Sequence, residues 1–220
     1  MRIRPLKSTR NLVGMLLLLL AAPLLAEAWL HFDARPGSKV KIEGASTIHD
    51  WTVEGQIISG FLEIEPGFQT DATLKSVPSL TTGKANPIVK VSIPVRSLKS
   101  GKTLMDQIMQ DAMKEKEFRK IEYTLTEMKL KEAPPAAGGP YKFDTKGDLA
   151  VSGVTNKISM EVSMERVDKD RVKFIGSIPL KMTDFGIKPP APSVGLGLIK
   201  TGDEVKVSFE WLTALRTETE

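Results

Sequence analysis

Apolar and polar side chains alternate along several stretches of the chain after residue 28. Val89, Val91, Ile93 and Val95 alternate with Lys90, Ser92, Pro94 and Arg96. Ile158, Met160, Val162 and Met164 alternate with Lys157, Ser159, Glu161, Ser163 and Glu165, and Val205, Val207, Phe209 and Trp211 with Lys206, Ser208 and Glu210. A period of two puts one set on a buried face and the other in water. Further strands are predicted over residues 39–48, 52–64, 120–130, 141–151 and 171–182. About eight strands separated by turn residues predict an all-β fold, an antiparallel sandwich or barrel.

One segment has a different period. Between residues 103 and 118, Leu104, Met105, Ile108, Met109, Ala112 and Met113 share one side of a 3.6-residue repeat, and Asp106, Gln107, Gln110, Asp111 and Lys114 fill the other. This spacing predicts an amphipathic helix, opened by a capping pair of Thr103 and Asp106. It is the one helix expected after the leader. Met105, Met109 and Met113 fall on one line of it, which fits either ordinary core or a face turned to a ligand of variable shape. Two connections stand out, the Pro/Gly-rich residues 134–140 and the breaker-rich residues 184–201, the latter long enough to suggest function.

The N-terminus reads separately. Arg2, Arg4, Lys7 and Arg10 precede an apolar run over residues 12–25, and Ala26-Glu27-Ala28 offers small residues where a signal peptidase reads. This pattern predicts a signal peptide over residues 1–28, cut before Trp29, because the run is shorter than the roughly 20 residues of a membrane span. No stable membrane anchor is expected, and the destination is the periplasm or the exterior. The remaining residues 29–220 form one domain. The leader holds four basic groups and one acid, so about +1 of the formal +4 charge belongs to the domain. A nearly neutral domain lacks the basic field that nucleic acids require. The absence of Cys removes thiol nucleophiles, thiolate metal sites and disulfides together.

Several short motifs fail their own requirements. Gly101-Lys102-Thr103 resembles the end of a phosphate-binding loop, but the glycine needed five residues upstream is Arg96. Gly195-Leu196-Gly197 has Lys200 where a third glycine belongs, and Asp184-Phe185-Gly186 has no kinase catalytic loop elsewhere. Two histidines, His31 and His49, are too few for a dedicated zinc site, and His31 sits near the new N-terminus. His49 and Asp50 are adjacent, so in extended chain they point apart and make a poor catalytic pair. A packed turn of His49, Asp50 and Trp51 is expected instead. No catalytic, metal or cofactor site follows from the sequence.

Five pieces in order resemble the YceI-like family of exported lipid- or polyisoprenoid-binding proteins. They are Ile48-His49-Asp50-Trp51-Thr52, Ile93-Pro94-Val95-Arg96-Ser97-Leu98 before the helix, Gly147-Asp148-Leu149 with Gly153-Val154-Thr155, Asp184-Phe185-Gly186-Ile187, and Gly202-Asp203-Glu204-Val205. The stretch from Thr70 to Pro87 carries no such signature. The resemblance implies an eight-stranded antiparallel, lipocalin-like barrel with the helix near its opening. It also implies a non-catalytic binder of an apolar lipid, a polyisoprenoid or a quinone, held in an elongated tunnel. The helix stripe then makes Leu104, Met105, Ile108, Met109 and Met113, with Phe185, the candidate ligand-binding residues. The alternative is a structural module whose barrel is filled with side chains and whose 184–201 loop binds a protein. The sequence decides neither hollow against filled nor the oligomeric state.

Overall fold

The computed structural model describes residues 28–81, 86–133, 139–191 and 199–217. The proposed signal peptide, apart from Ala28, and the centres of both Pro/Gly-rich loops lie outside them. Among the described residues no helix is long and apolar enough to cross a membrane.

The alternating segments become β1 (Leu30–Ala34), β2 (Lys39–Ser46), β3 (Trp51–Gly55), β4 (Ser59–Ile64), β5 (Ile88–Pro94), β6 (Lys120–Glu132), β7 (Tyr141–Val151), β8 (Val154–Arg166), β9 (Arg171–Lys181) and β10 (Thr201–Leu215). They form one sheet in the order β1-β4-β5-β6-β7-β8-β9-β10-β2-β3, and β1 also pairs with β10. That last pairing closes the sheet. β10 is long enough to hold β2 along its first part, from Val205↔Gly44 to Glu210↔Lys39, and β1 along its end, Thr213↔Ala34 to Phe32↔Leu215. β1 and β2 are therefore two halves of one stave. β3 and β4, which pair with β2 and β1 in turn, are the halves of the next. The result is an eight-stave antiparallel barrel. Near the upper rim the outer edge of β3 is tied down as well, because Glu54 and Lys99 exchange backbone hydrogen bonds of 2.8 Å each.

The alternation decides what faces inward. On β8, Val162 and Met164 are buried whereas Lys157, Ser159 and Glu161 are exposed. The outer face is knitted by cross-strand pairs, such as Lys131 with Asp144 and Glu161 at 3.4 and 2.7 Å. Opposite charges on neighbouring staves contribute only modestly at such exposed positions, where water and salt screen them.

Four expectations need correction. β1 was not anticipated, and His31, placed near a loose terminus, lies within it between Glu63 at 2.9 Å and Asp33 at 3.2 Å. The strand expected over 52–64 breaks between Gly55 and Ser59, so that β3 pairs with β2 and β4 with β1 as two halves of one stave. The segment without a family signature holds two short helices, α1 (Gly67–Thr70) and α2 (Pro78–Thr81), so α3 (Thr103–Ala112) is not the one helix of the domain. α3 is also shorter than the predicted 103–118. It stops because Lys114 takes a left-handed φ of 53°. The Glu115 amide then donates to the Gln110 carbonyl and the Lys114 amide to the Asp111 carbonyl, which is a Schellman termination built without glycine.

Residues 65–81 plug one end of the barrel. Phe68, Leu74 and Val77 have no exposed surface, and Leu80 has 2%. They pack on Phe32, Leu62, Ile64, Phe143 and Met164 in the common core. The Arg166 guanidinium donates to the Phe68 carbonyl and lies over the Phe68 and Tyr141 rings, 5.3 and 5.6 Å from their centroids. The Tyr141 hydroxyl donates to the Ala72 carbonyl. Asp71 shapes the turn between α1 and α2 by accepting from the Thr73 amide and hydroxyl, both at 2.7 Å, and the Ser76 amide at 2.8 Å. These donors hold its carboxyl far below the usual carboxylate range, the Thr73 hydroxyl acting most strongly.

Candidate functional site

The opposite end is built differently. There the β5–β6 connection carries α3, the β2–β3 turn reaches up through Ile48 and His49, and the segment after β9 folds over through Phe185 and Ile187. Between them and the plugged end lies a cavity of about 490 Å³, within the range of roughly 300–1,000 Å³ usual for small-molecule sites. Leu62, Phe174 and Trp211 form its lower part, and Val91, Ile121, Leu125, Met160 and Val207 stand around its walls. These wall residues point inward yet are only part-buried, whereas Phe143 and Met164 below them are wholly buried. The barrel is filled at its lower end and hollow at its upper end.

Three aromatic rings lie against this wall where glycine gives them room. The Trp51 ring occupies the place of a Gly44 Cβ, which would sit 2.3 Å from it, and Gly44 and Trp51 are direct cross-strand partners. Phe209 lies over its partner Gly176 in the same way, at 2.7 Å, and Tyr123 over Gly147, at 2.4 Å. A side chain at any of these glycines would push a ring toward the lumen. Burial raises the Tyr123 phenol, so it stays neutral at physiological pH. Its hydroxyl and the Trp211 indole nitrogen are enclosed without a hydrogen-bond partner among the described residues.

All six residues singled out in the sequence border this cavity: Leu104, Met105, Ile108, Met109 and Met113 from α3, and Phe185 from the segment after β9. Thr103 and Asp106 do not form the expected cap. Lys102 is the N-cap residue, and no side chain caps the helix. Asp106 instead reaches back to the loop, accepting from the Ser100 amide and hydroxyl at 2.7 Å each. Burial works to raise its carboxyl, but these donors and Lys99 at 3.8 Å win and hold it below its ordinary value. Phe185 is set by a 3₁₀ turn, Thr183–Phe185, that closes at Gly186 in the left-handed region with φ 65°. Asp203 anchors that turn by accepting from the Thr183 amide at 2.9 Å and its hydroxyl at 2.6 Å. Two of the sequence signatures, around Asp184 and Asp203, are thus two sides of one support.

The expected packed turn at His49 is not packed. His49 and Asp50 are exposed and Trp51 is part-buried. The His49 ring meets the Asp50 backbone oxygen at 2.8 Å, its backbone bonds to Ser46 across the turn, and the residue borders the cavity at its mouth. The strand residues Tyr123, Phe209, Trp51 and Trp211 also border the cavity, and sequence reasoning missed them. Their inward phase was visible, but the register that sets glycine against the rings of Tyr123, Phe209 and Trp51 was not. Physically, the site can enclose a long apolar body and keep water from it.

Comparisons with known proteins agree with this architecture. A polyisoprenoid binding domain from Saccharophagus degradans superposes with a TM-score of 0.63 at 15% identity, covering 85% of this chain and 99% of that one. BcnA of Burkholderia cenocepacia gives 0.57 at 16%, covering 80% and 95%. The YCEI protein of Campylobacter jejuni gives 0.51 at 16%, covering 76% and 85%. No curated protein matches the chain significantly. At such identities these likenesses concern the fold, but the YceI-like domain profile matches residues 31–212 of the sequence itself, and the chain belongs to the YceI-like family.

Proposed function

We propose that the chain is exported, cut before Trp29, and holds the long apolar tail of a lipid in its barrel without chemical change to it. A polyisoprenoid or a quinone-type lipid fits best. The observation that carries this reading is the cavity itself: about 490 Å³ deep in the barrel, bordered almost wholly by aliphatic, aromatic and methionine side chains. Burying ten methylenes there contributes roughly 8 kcal/mol, the free energy of a micromolar complex, before the costs of ordering. The Saccharophagus domain, a polyisoprenoid binder on the same fold, supports the same class of ligand. The methionines of α3 suit a chain whose contour varies. The alternative module with a side-chain-filled barrel is disfavoured, because the upper staves stand apart around open volume.

The test isolates the protein from the soluble exported fraction, sequences its N-terminus and extracts it with organic solvent for mass spectrometry. A terminus at or near Trp29 and a long-chain lipid near one per protein are expected. A full-length chain found only in membranes would contradict the export reading. An extract free of lipid, from a protein that also takes up none when offered, contradicts the binding reading.

A further inference from the structure

The rim of the cavity is apolar and cationic together. Ile48 on the β2–β3 turn and Leu104 in the first turn of α3 both border the opening. They are 61% and 54% exposed, the two most exposed large hydrophobic residues among those described. Lys102 and Lys181 border the same opening. Lys200 lies beside it, its amide donating to the Thr47 hydroxyl at 3.2 Å. Within the described residues none of these three lysines forms a close ion pair, although the Lys181 charge acts on Asp203 beside it. No described carboxylate borders the cavity. Asp106 and Asp203, close by in the fold, are engaged by Ser100 and Thr183.

We infer that this rim docks on an anionic phospholipid bilayer, with Ile48 and Leu104 entering the headgroup boundary and Lys102, Lys181 and Lys200 meeting lipid phosphates. The inference rests on the lipid-carrying reading and adds the surface from which the lipid is taken. A soluble anion would explain the lysines but not two exposed aliphatic side chains beside them. Apolar side chains set among exposed cations at one surface are what interfacial binding uses. Seated this way, the cavity mouth opens directly onto acyl chains, and a lipid tail passes inward without crossing water.

The test is flotation of the mature protein with vesicles of phosphatidylcholine alone or with an added phosphatidylglycerol fraction. Binding is expected only with the anionic fraction, and it should weaken at high salt. Lys102→Gln with Lys181→Gln should lower binding by about 25-fold, fivefold for each cation removed. Ile48→Asp with Leu104→Asp should abolish it. Ile57→Asp should leave it unchanged, since Ile57 is 51% exposed but does not border the opening. If the aspartate pair fails to fold, the exposed lysine pair decides. Wild-type protein that ignores anionic vesicles, as it would if the rim met a protein, overturns the inference. So does equal binding to both vesicle types, or an Ile57→Asp loss as large as that of the lysine pair. Solvent extraction of the same preparation keeps the two readings apart: lipid present without vesicle binding defeats only the docking surface, and vesicle binding by a protein that yields no lipid and takes up none when offered defeats only the cargo reading.

Discussion

Tyr123, Phe209 and Trp51 are large residues at inward positions, and side chains of that size would ordinarily fill a barrel of eight staves. They leave it open because each ring lies over a glycine on the neighbouring stave. Gly147→Ala places a methyl where the Tyr123 ring now lies, with ring atoms 2.4 Å away, and the ring must swing toward the lumen. We expect a loss of about 1–3 kcal/mol, the usual cost of overpacking, read from the urea midpoint, together with a smaller lipid load by mass spectrometry. Unchanged lipid content in a destabilised protein would mean that the ring moves elsewhere. Gly147 was visible in the sequence as part of a signature. Its task was not, because that depends on β6 and β7 pairing Leu125 with Gly147, and register is not written in the residues of one strand. His49 shows the opposite failure. Its neighbours suggested a packed turn, but a turn at an open rim has nothing above it to pack against.

At the scale of elements, α3 was legible in kind and in its cavity-facing stripe, but not in its ends. The apolar spacing ends at Met113, short of the predicted end at residue 118, and the left-handed residue that stops the helix is a lysine, which no turn rule singles out. The stripe makes a direct prediction. Met109→Lys sets a charge against hydrocarbon, and its long stem can still carry the amine to water. Co-purified lipid should fall with only a modest drop in melting temperature. Collapse of the fold would make Met109 ordinary core, and unchanged lipid in a stable protein would remove the helix from the site. The plug was illegible, since α1 and α2 are four residues each and too short for any periodicity. It yields a pH prediction through Asp71. A carboxyl whose folded pKa is depressed stabilises the fold above its unfolded value of about 3.9 and loses that contribution as pH falls toward its folded value. Asp71→Asn should therefore melt lower than the parent at neutral pH, and the gap should close as the pH drops below about 4. A gap that persists to the lowest pH at which the protein folds would show that Asp71 acts through something other than its charge.

The whole molecule is one closed sheet with unequal ends. Alternation along β5, β8 and β10 already required a two-faced sheet, and the five ordered signatures implied its closure into eight staves. What the chain did not disclose is that the lower barrel is full and the upper barrel empty. Met164 and Met160 have the same inward phase on β8, yet one is wholly buried in the core below and the other borders the cavity. The difference lies in what stands across the barrel, such as Phe143 and Phe68 below, and the underside of α3 above. Hollowness is a property of opposed walls, not of any strand. The central claim is that apolar burial in this space holds the ligand, and a chain-length series measures it most directly. Delipidated protein is titrated with prenyl alcohols of increasing length, followed by the fluorescence of Trp51 and Trp211, which both border the cavity. Affinity should rise by at least about tenfold with each added isoprene unit, since each buried methylene contributes roughly 0.8 kcal/mol, and then level off when the cavity is full. Affinity that does not depend on chain length would contradict the account.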